Sequence, residues 1–200
     1  MSQHATRLWS ARQIRGVVAG LAERISSDYA GRTPVLIALL QGGTTFLADL
    51  IRMMPIALRV DFMAISPYGE SKTVAKVVAD LERDIGGEDV VVVEDLIDTG
   101  LTLSYLLSSL RARQPASLEV CTLLDKTARR IAPISIAYRG LECPDRFVVG
   151  YGLDFRGRYR NLPDIFAVED PAALKRDPLL VASLFHDGGL PDVSAAGRLA

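Results

Sequence analysis

The sequence predicts an α/β fold with a mainly parallel, twisted sheet flanked by helices. Three observations carry that reading. Short aliphatic runs such as Val35–Leu40 and Val90–Val93 are apolar without alternation, as strands buried on both faces are. Stretches with apolar residues at helical spacing stand between them. Gly, Pro and Asp punctuate nearly every junction, which gives the strand–helix alternation of a parallel sheet.

The elements follow in order. Ser10 is placed to cap a helix whose apolar positions are Ile14, Val17, Val18, Leu21 and Ile25, with Gly31 and Pro34 marking its end. Val35–Leu40 is a strand, Gln41-Gly42-Gly43 a tight turn, and Thr44–Met54 a helix burying Phe46, Leu47, Leu50 and Ile51. Leu58, Val60, Phe62 and Ala64 alternate with Arg59, Asp61 and Met63, which indicates another strand. Ser66–Thr73 is polar, carries Pro67 and Gly69, and is long enough for a movable lid. Val74–Leu81 reads as a return strand that makes a hairpin arm with the strand before the lid. A strand from Val90 leads into a helix that stops near Arg113, before Pro115. Leu118–Leu124, Ile134–Tyr138, Phe147–Tyr151 and Ile165–Val168 read as further strands. Residues 1–170 thus form a single domain with a lid at about 66–73. Residues 171–200, rich in Gly, Ala, Pro and Asp, form an extension with a short helix around Leu179–Phe185 and a flexible tail.

Composition excludes several function classes. The chain has 200 residues, enough for a full core, and 49% are hydrophobic, so it is globular. Its net charge of −1 offers no broad basic surface for nucleic acid. No apolar run reaches the ~18 residues of a membrane span, and the N-terminus lacks a signal-peptide layout, so a cytoplasmic protein is expected. Cys121 and Cys143 form no CxxC pair and read as reduced structural thiols. The two histidines, His4 and His186, lie near the termini. A Ser-His-Asp, Cys-His or His-ligated metal centre is therefore not expected, and a general base must be a carboxylate, Lys or Tyr.

The most informative run is VVVVEDLIDTGLTL, Val90–Leu103. Glu94 and Asp95 fall where the strand should end, and Asp98-Thr99-Gly100 forms a polar turn opening a helix with Leu103, Leu106, Leu107 and Leu110 on one face. Ligands of open α/β sheets sit beyond the carboxyl ends of strands, and a turn rich in N–H groups at a helix start is an anion site. The acids can be solvated strand-end residues. They can equally accept from neighbouring hydroxyls or help hold Mg²⁺. Beside a phosphate cradle they suggest a phosphorylated sugar. Leu40-Gln41-Gly42-Gly43 also joins strand to helix, either as a simple connection or as a close backbone approach to a phosphate. Lys126 ends the strand after the acidic one, so the sheet places it near the same edge. Taken alone it reads as a solvated lysine, Phe147 as core, and Asp154 and Arg160 as parts of a surface loop.

VVVVEDLIDTGLTLSYL closely resembles the ribose-phosphate motif of the type I phosphoribosyltransferases. DFMAISPYG, CTLLDKTARR and PDRFVVGYGLDFRGRYRNLP resemble the hypoxanthine-guanine phosphoribosyltransferases of purine salvage, in order from about Pro34 to Val168. The resemblance implies the type I fold with a small hood or lid region. It also implies a Mg²⁺-dependent transfer of the 5-phosphoribosyl group from phosphoribosyl pyrophosphate to hypoxanthine or guanine, giving IMP or GMP and pyrophosphate. On that resemblance Glu94 and Asp95 meet the ribose hydroxyls and the metal's surroundings, and Asp98 is the base at purine N7. Thr99, Gly100, Leu101 and Thr102 cradle the 5′-phosphate. Lys126 donates to purine O6, Phe147 stacks on the purine, and the Val148 backbone bonds its edge. Asp154 serves purine side and metal. Leu40, Gln41 and Gly42 match a pyrophosphate-contacting segment whose Leu40-Gln41 peptide is usually cis in the family, and Arg160 matches its pyrophosphate arginine. Pro67 and Tyr68 fall in the closing lid. The family is usually dimeric or tetrameric.

Three departures stand out. Gln41 replaces a common Lys, Pro67 replaces a common Ser, and the tail after Val168 has no counterpart. The alternatives are a xanthine- or pyrimidine-directed transferase, or a regulator that keeps this fold as a binding module. The net charge, the absence of an added domain and the purine-side pair Lys126 and Phe147 favour the enzyme.

Overall fold

The computed structural model describes residues 4–66 and 76–187. In chain order the elements are β1 (Ala5–Trp9), α1 (Ala11–Asp28), β2 (Val35–Leu40), α2 (Gly43–Arg52), β3 (Arg59–Ser66), β4 (Lys76–Ala79), β5 (Asp89–Ile97), α3 (Leu101–Arg111), β6 (Ser117–Asp125), a one-turn helix Thr127–Arg129, β7 (Tyr138–Glu142), β8 (Phe147–Val149), β9 (Ile165–Val168), α4 (Pro171–Arg176) and α5 (Leu184–Asp187). They divide into two compact units, Arg15–Asp145 and Met1–Ile14 with Arg146–Ala200.

The larger unit carries a six-stranded sheet in the order β4-β3-β2-β5-β6-β7. Every neighbouring pair is parallel except β3–β4, the expected hairpin arm. β5 is central, and Val90, Val91, Val92 and Val93 are each fully buried. That is why its sequence shows no alternation. One sheet face contributes Ile37, Met63, Val90 and Val92 to a core with Leu103, Leu106, Leu107 and Leu110 of α3.

β3 is a strand, but its inner face is not its more apolar one. Met63 is fully buried while Val60 and Phe62 are 36% and 38% exposed. Asp61 is buried as well, because its carboxylate accepts the N–H groups of Phe62 at 2.7 Å and Glu82 at 3.1 Å. A strand over Ile134–Tyr138 does not form. The ladder to β6 begins only at Tyr138 and runs to Glu142. Ile134 and Ile136 pack against the α3 core without pairing, so their alternation reflects side-chain contact alone.

The smaller unit holds an antiparallel sheet, β1-β9-β8, so Phe147–Val149 and Ile165–Val168 belong to a second sheet rather than the parallel one. Its core gathers Ala5, Val149, Tyr159, Leu162, Phe166, Leu174 and Leu184. The sequence reading assigned no structure to β1. Its single Trp and exposed Thr6 and Arg7 carry too little apolar pattern to mark a strand. The predicted cap at Ser10 is a capping box. The Ser10 hydroxyl and N–H both donate to Gln13 Oε1, at 2.8 and 3.0 Å. Asp164, nearly buried, accepts the Ala11 N–H at 2.7 Å and pairs with Arg7 at 3.2 Å. After β9, Asp170 caps α4 through the N–H groups of Ala172 and Ala173. The predicted helix around Leu179–Phe185 is a set of turns leading into α5. The lid residues Pro67 and Tyr68 and the tail beyond residue 187 lie outside the described residues.

Candidate active site

The larger unit builds its site where β5 meets α3. A cavity of about 210 Å³ is lined by Glu94, Leu96, Ile97, Asp98, Thr99, Gly100, Thr102 and Leu103. This is the carboxyl end of a central parallel strand, where the sequence placed it. Gly100 sits at φ +80°, a conformation that glycine adopts without strain. A Cβ there would lie 2.8 Å from Ile134 Cδ1 and 3.0 Å from Arg130 Cδ. The turn is pinned from behind, because Thr99 O accepts the N–H groups of Ile131 at 2.9 Å and Ala132 at 3.1 Å. Gly100 has no side chain to cap α3, and although the Leu101 N–H meets Thr99 Oγ1 at a long 3.5 Å, the next N–H groups of the first turn have no side-chain partner among the described residues and face an anion site.

The two acids differ. Glu94 Oε2 is buried and, among the described residues, has no hydrogen-bond partner. Burial, reinforced by the Asp95 charge, holds the Glu94 carboxyl well above the usual range. Asp95 accepts the Leu96 N–H at 2.9 Å and packs against the Gln41-Gly42 turn. A Cβ on Gly42 would lie 2.0 Å from Asp95 Oδ2, so glycine is required for this approach. The adjoining Leu40-Gln41 peptide is cis, as the resemblance implied.

Lys126 follows β6 directly, and its N–H donates to Ile97 O at 3.0 Å, which ties it to the end of β5. Its side chain is buried, not solvated. Asp125 beside it is fully buried and ion-paired with Arg130 and, at 3.0 Å, with Arg139. Sequence reasoning missed Arg129. Its Nε donates to Asp98 Oδ1 at 2.5 Å and its Nη1 to Asp145 Oδ1 at 3.3 Å. The only advance signal was the local charge pattern DKTARR, which does not say which acid each arginine meets.

The smaller unit presents the remaining candidates. Phe147 is half-buried and meets Phe155 edge-on at 5.9 Å. Val148 lies on β8, which among the described residues is the edge strand of its sheet, with its outer row of backbone groups unpaired by another strand. Asp154 and Arg160 form an ion pair at 2.8 Å, and Asp154 also accepts the Gly157 N–H at 2.7 Å. Arg160 donates in addition to Gly152 O at 2.5 Å. Tyr151, Arg156 and Tyr159 in this loop have positive φ, so its shape is set by the backbone as well as the ion pair.

Among the described residues no three His, Cys, Asp or Glu side chains form a group able to hold a metal. A second cavity, of about 250 Å³, lies in the larger unit at the amino ends of β2 and β3, around Val35, Arg59 and Asp61. Its Arg59 is paired with Glu88 at 2.6 Å. No helix of the described chain is long and apolar enough to cross a membrane.

Comparison with known proteins agrees with this geometry. The phosphoribosyl transferase domain model matches residues 4–156. The hypoxanthine-guanine phosphoribosyltransferase of Mycobacterium bovis is 46% identical over 164 residues, covering 78% of this chain and 81% of its own. A crystal structure of a hypoxanthine-guanine phosphoribosyltransferase from Bacillus anthracis, with HEPES in its active site, has a TM-score of 0.79 and 41% identity, over 83% of this chain and 99% of that one. The hypoxanthine phosphoribosyl transferase of Trypanosoma cruzi superposes with a TM-score of 0.83 at 35% identity, over 89% of this chain and 98% of that one. With matches that span most of both partners in sequence and in structure, this chain belongs to the hypoxanthine-guanine phosphoribosyltransferases, a branch of the phosphoribosyl transferase family.

Proposed function

We infer that this chain carries out its family's reaction, transferring the 5-phosphoribosyl group from phosphoribosyl pyrophosphate to a 6-oxopurine. The carrying observation is the end of β5. An uncapped helix start behind a glycine at φ +80° stands in one cavity with Glu94 and Asp98. The backbone N–H groups of Thr99, Gly100, Leu101 and Thr102 take the 5′-phosphate. Glu94 and Asp95 take the ribose hydroxyls. An unpaired, buried Glu94 Oε2 is a ready acceptor for such a hydroxyl.

Breaking the bond from C1′ to pyrophosphate leaves an oxocarbenium-like sugar. The purine nitrogen attacks C1′, and its partner N7 proton passes to Asp98, a carboxylate base. Lys126, with donors only, selects an acceptor at purine position 6. Phe147 supplies the stacking face, the Val148 backbone bonds the purine edge, and Arg160 takes pyrophosphate, as does the Leu40-Gln41-Gly42 turn. Among the described residues no three such side chains form a metal-holding group, so Glu94, Asp95 and Asp154 would each offer single oxygen ligands of the kind Mg²⁺ prefers, with the substrate's own phosphate oxygens completing its shell. The metal, when bound, neutralises charge on the leaving pyrophosphate.

The test is a panel of hypoxanthine, guanine and xanthine with phosphoribosyl pyrophosphate and Mg²⁺, following nucleotide formation. Nucleotide should form from hypoxanthine or guanine and stop when a chelator removes the metal. No product from either base would refute the reading.

A further inference from the structure

Asp98 is a short side chain on a half-exposed turn, and nothing in the turn itself fixes its rotamer. An exposed carboxylate of this kind samples several staggered states. Here one oxygen is held. Arg129 Nε donates to Asp98 Oδ1 at 2.5 Å, and among the described residues Oδ2 has no partner. Arg129 is itself steadied from both ends. Its N–H donates to Lys126 O at 3.0 Å within the one-turn helix, and its Nη1 reaches Asp145 Oδ1 at 3.3 Å. The same short segment therefore carries Lys126 and, three residues on, the group that grips Asp98.

We propose that Arg129 is a positioning residue for the base, holding Asp98 through Oδ1 so that Oδ2 is presented to the purine N7 proton, with Asp145 steadying the guanidinium. The proposal rests on the assignment of Asp98 as base. Arg suits the task because its planar fork engages two carboxylates in fixed directions, which a lysine ammonium does not. The pair is 42% and 44% exposed, so its contribution to stability is small and its effect should appear in turnover.

The test is steady-state kinetics with hypoxanthine, phosphoribosyl pyrophosphate and Mg²⁺ on the wild type, R129Q, R129K, D145N, D98N and the R129Q/D98N double variant, with melting curves alongside. R129Q should lower kcat about tenfold, short of the ~10² that an ångström of misplacement can cost. KM for phosphoribosyl pyrophosphate and Tm should hardly move. R129K should fall between R129Q and wild type, and D145N should lose about twofold. In the D98N background R129Q should have no further effect, because there is no base left to position. An R129Q enzyme as fast as, or faster than, wild type would overturn the proposal. So would an equal loss in both backgrounds, the mark of a merely structural role. An inactive wild type would sink the functional reading itself, and a fully active D98N would sink the base assignment. An active wild type, an impaired D98N and a silent R129Q would sink Arg129 alone.

Discussion

The two units arrange their candidate residues by different means. In the larger unit the backbone does it: β5 ends, Gly100 turns at φ +80°, and α3 begins without a side-chain cap. Glu94 Oε2 has no partner there among the described residues, and Asp98 is held through one oxygen only, by Arg129. In the smaller unit side chains do it, and the charged ones satisfy each other. Asp154 and Arg160 pair at 2.8 Å while the loop's own N–H and C=O groups take their remaining bonds. A turn with open N–H groups and an unpartnered Glu94 oxygen is ready for an anion and hydroxyls on arrival. A self-paired set must exchange its partners for the ligand's, so substitutions in the two units should fail differently.

The sharpest way to break this contrast is Asp98→Asn. The near-isosteric change should lower kcat by roughly 10²–10⁴, the range for loss of a general base, and leave Tm close to wild type. A mutant that keeps its rate but loses about 1 kcal/mol of stability would make Asp98 a cap only. Next comes Gly42→Ala. Its Cβ would lie 2.0 Å from Asp95 Oδ2, so one of the two must move, and turnover should fall by roughly 10². Gly16→Ala is the control. That glycine lies on exposed helix with nothing within 4 Å, and the change should stabilise by up to about 1 kcal/mol with activity intact.

In the smaller unit, Arg160→Ala should raise KM for phosphoribosyl pyrophosphate about tenfold, as loss of a charged hydrogen bond does, while sparing hypoxanthine. With Gln41 where the family commonly has Lys, Arg160 should carry more of the anion binding. Unaltered phosphoribosyl pyrophosphate kinetics would show that pyrophosphate binds elsewhere. The smallest effect concerns Cys143, whose thiol burial pushes up to about 11, the nearby Lys126 charge only partly offsetting it. Only about one thiol in 10³ is then ionised at pH 8, and alkylation should speed up about tenfold per pH unit until near 11. Rapid alkylation at pH 7 would mean that the burial around Lys126 and Cys143 is wrong.

What the sequence made legible follows the same division. Strand β5, its acids and the turn after it could be placed because a doubly buried strand and a glycine-led helix start leave strong local marks. Lys126 could be placed at the same edge by counting along β6, though its burial could not be read. β3 shows the limit. Alternation marked the strand, yet Met63 faces the core and Phe62 does not, because helix cover over each sheet face is a tertiary fact. The Ile134–Tyr138 reading failed for a related reason: two isoleucines that pack on a core look like a pairing strand. β1 and the Arg129 bridge were invisible, since an edge strand with Thr and Arg has little pattern and an ion pair spanning 31 residues has none. Separation of β8 and β9 into a second sheet was likewise not readable from alternation of elements.

The central claim is that this site selects a 6-oxopurine through a buried donor at Lys126. It is tested most directly by the ratio of kcat/KM for hypoxanthine to that for adenine, with phosphoribosyl pyrophosphate and Mg²⁺ in excess. Adenine presents an amino donor where hypoxanthine presents an acceptor, so two donors would face each other in a closed site. The account predicts that hypoxanthine is preferred by ~10⁴ or more, the discrimination a buried unpaired polar group can impose. Comparable values for the two bases would contradict it.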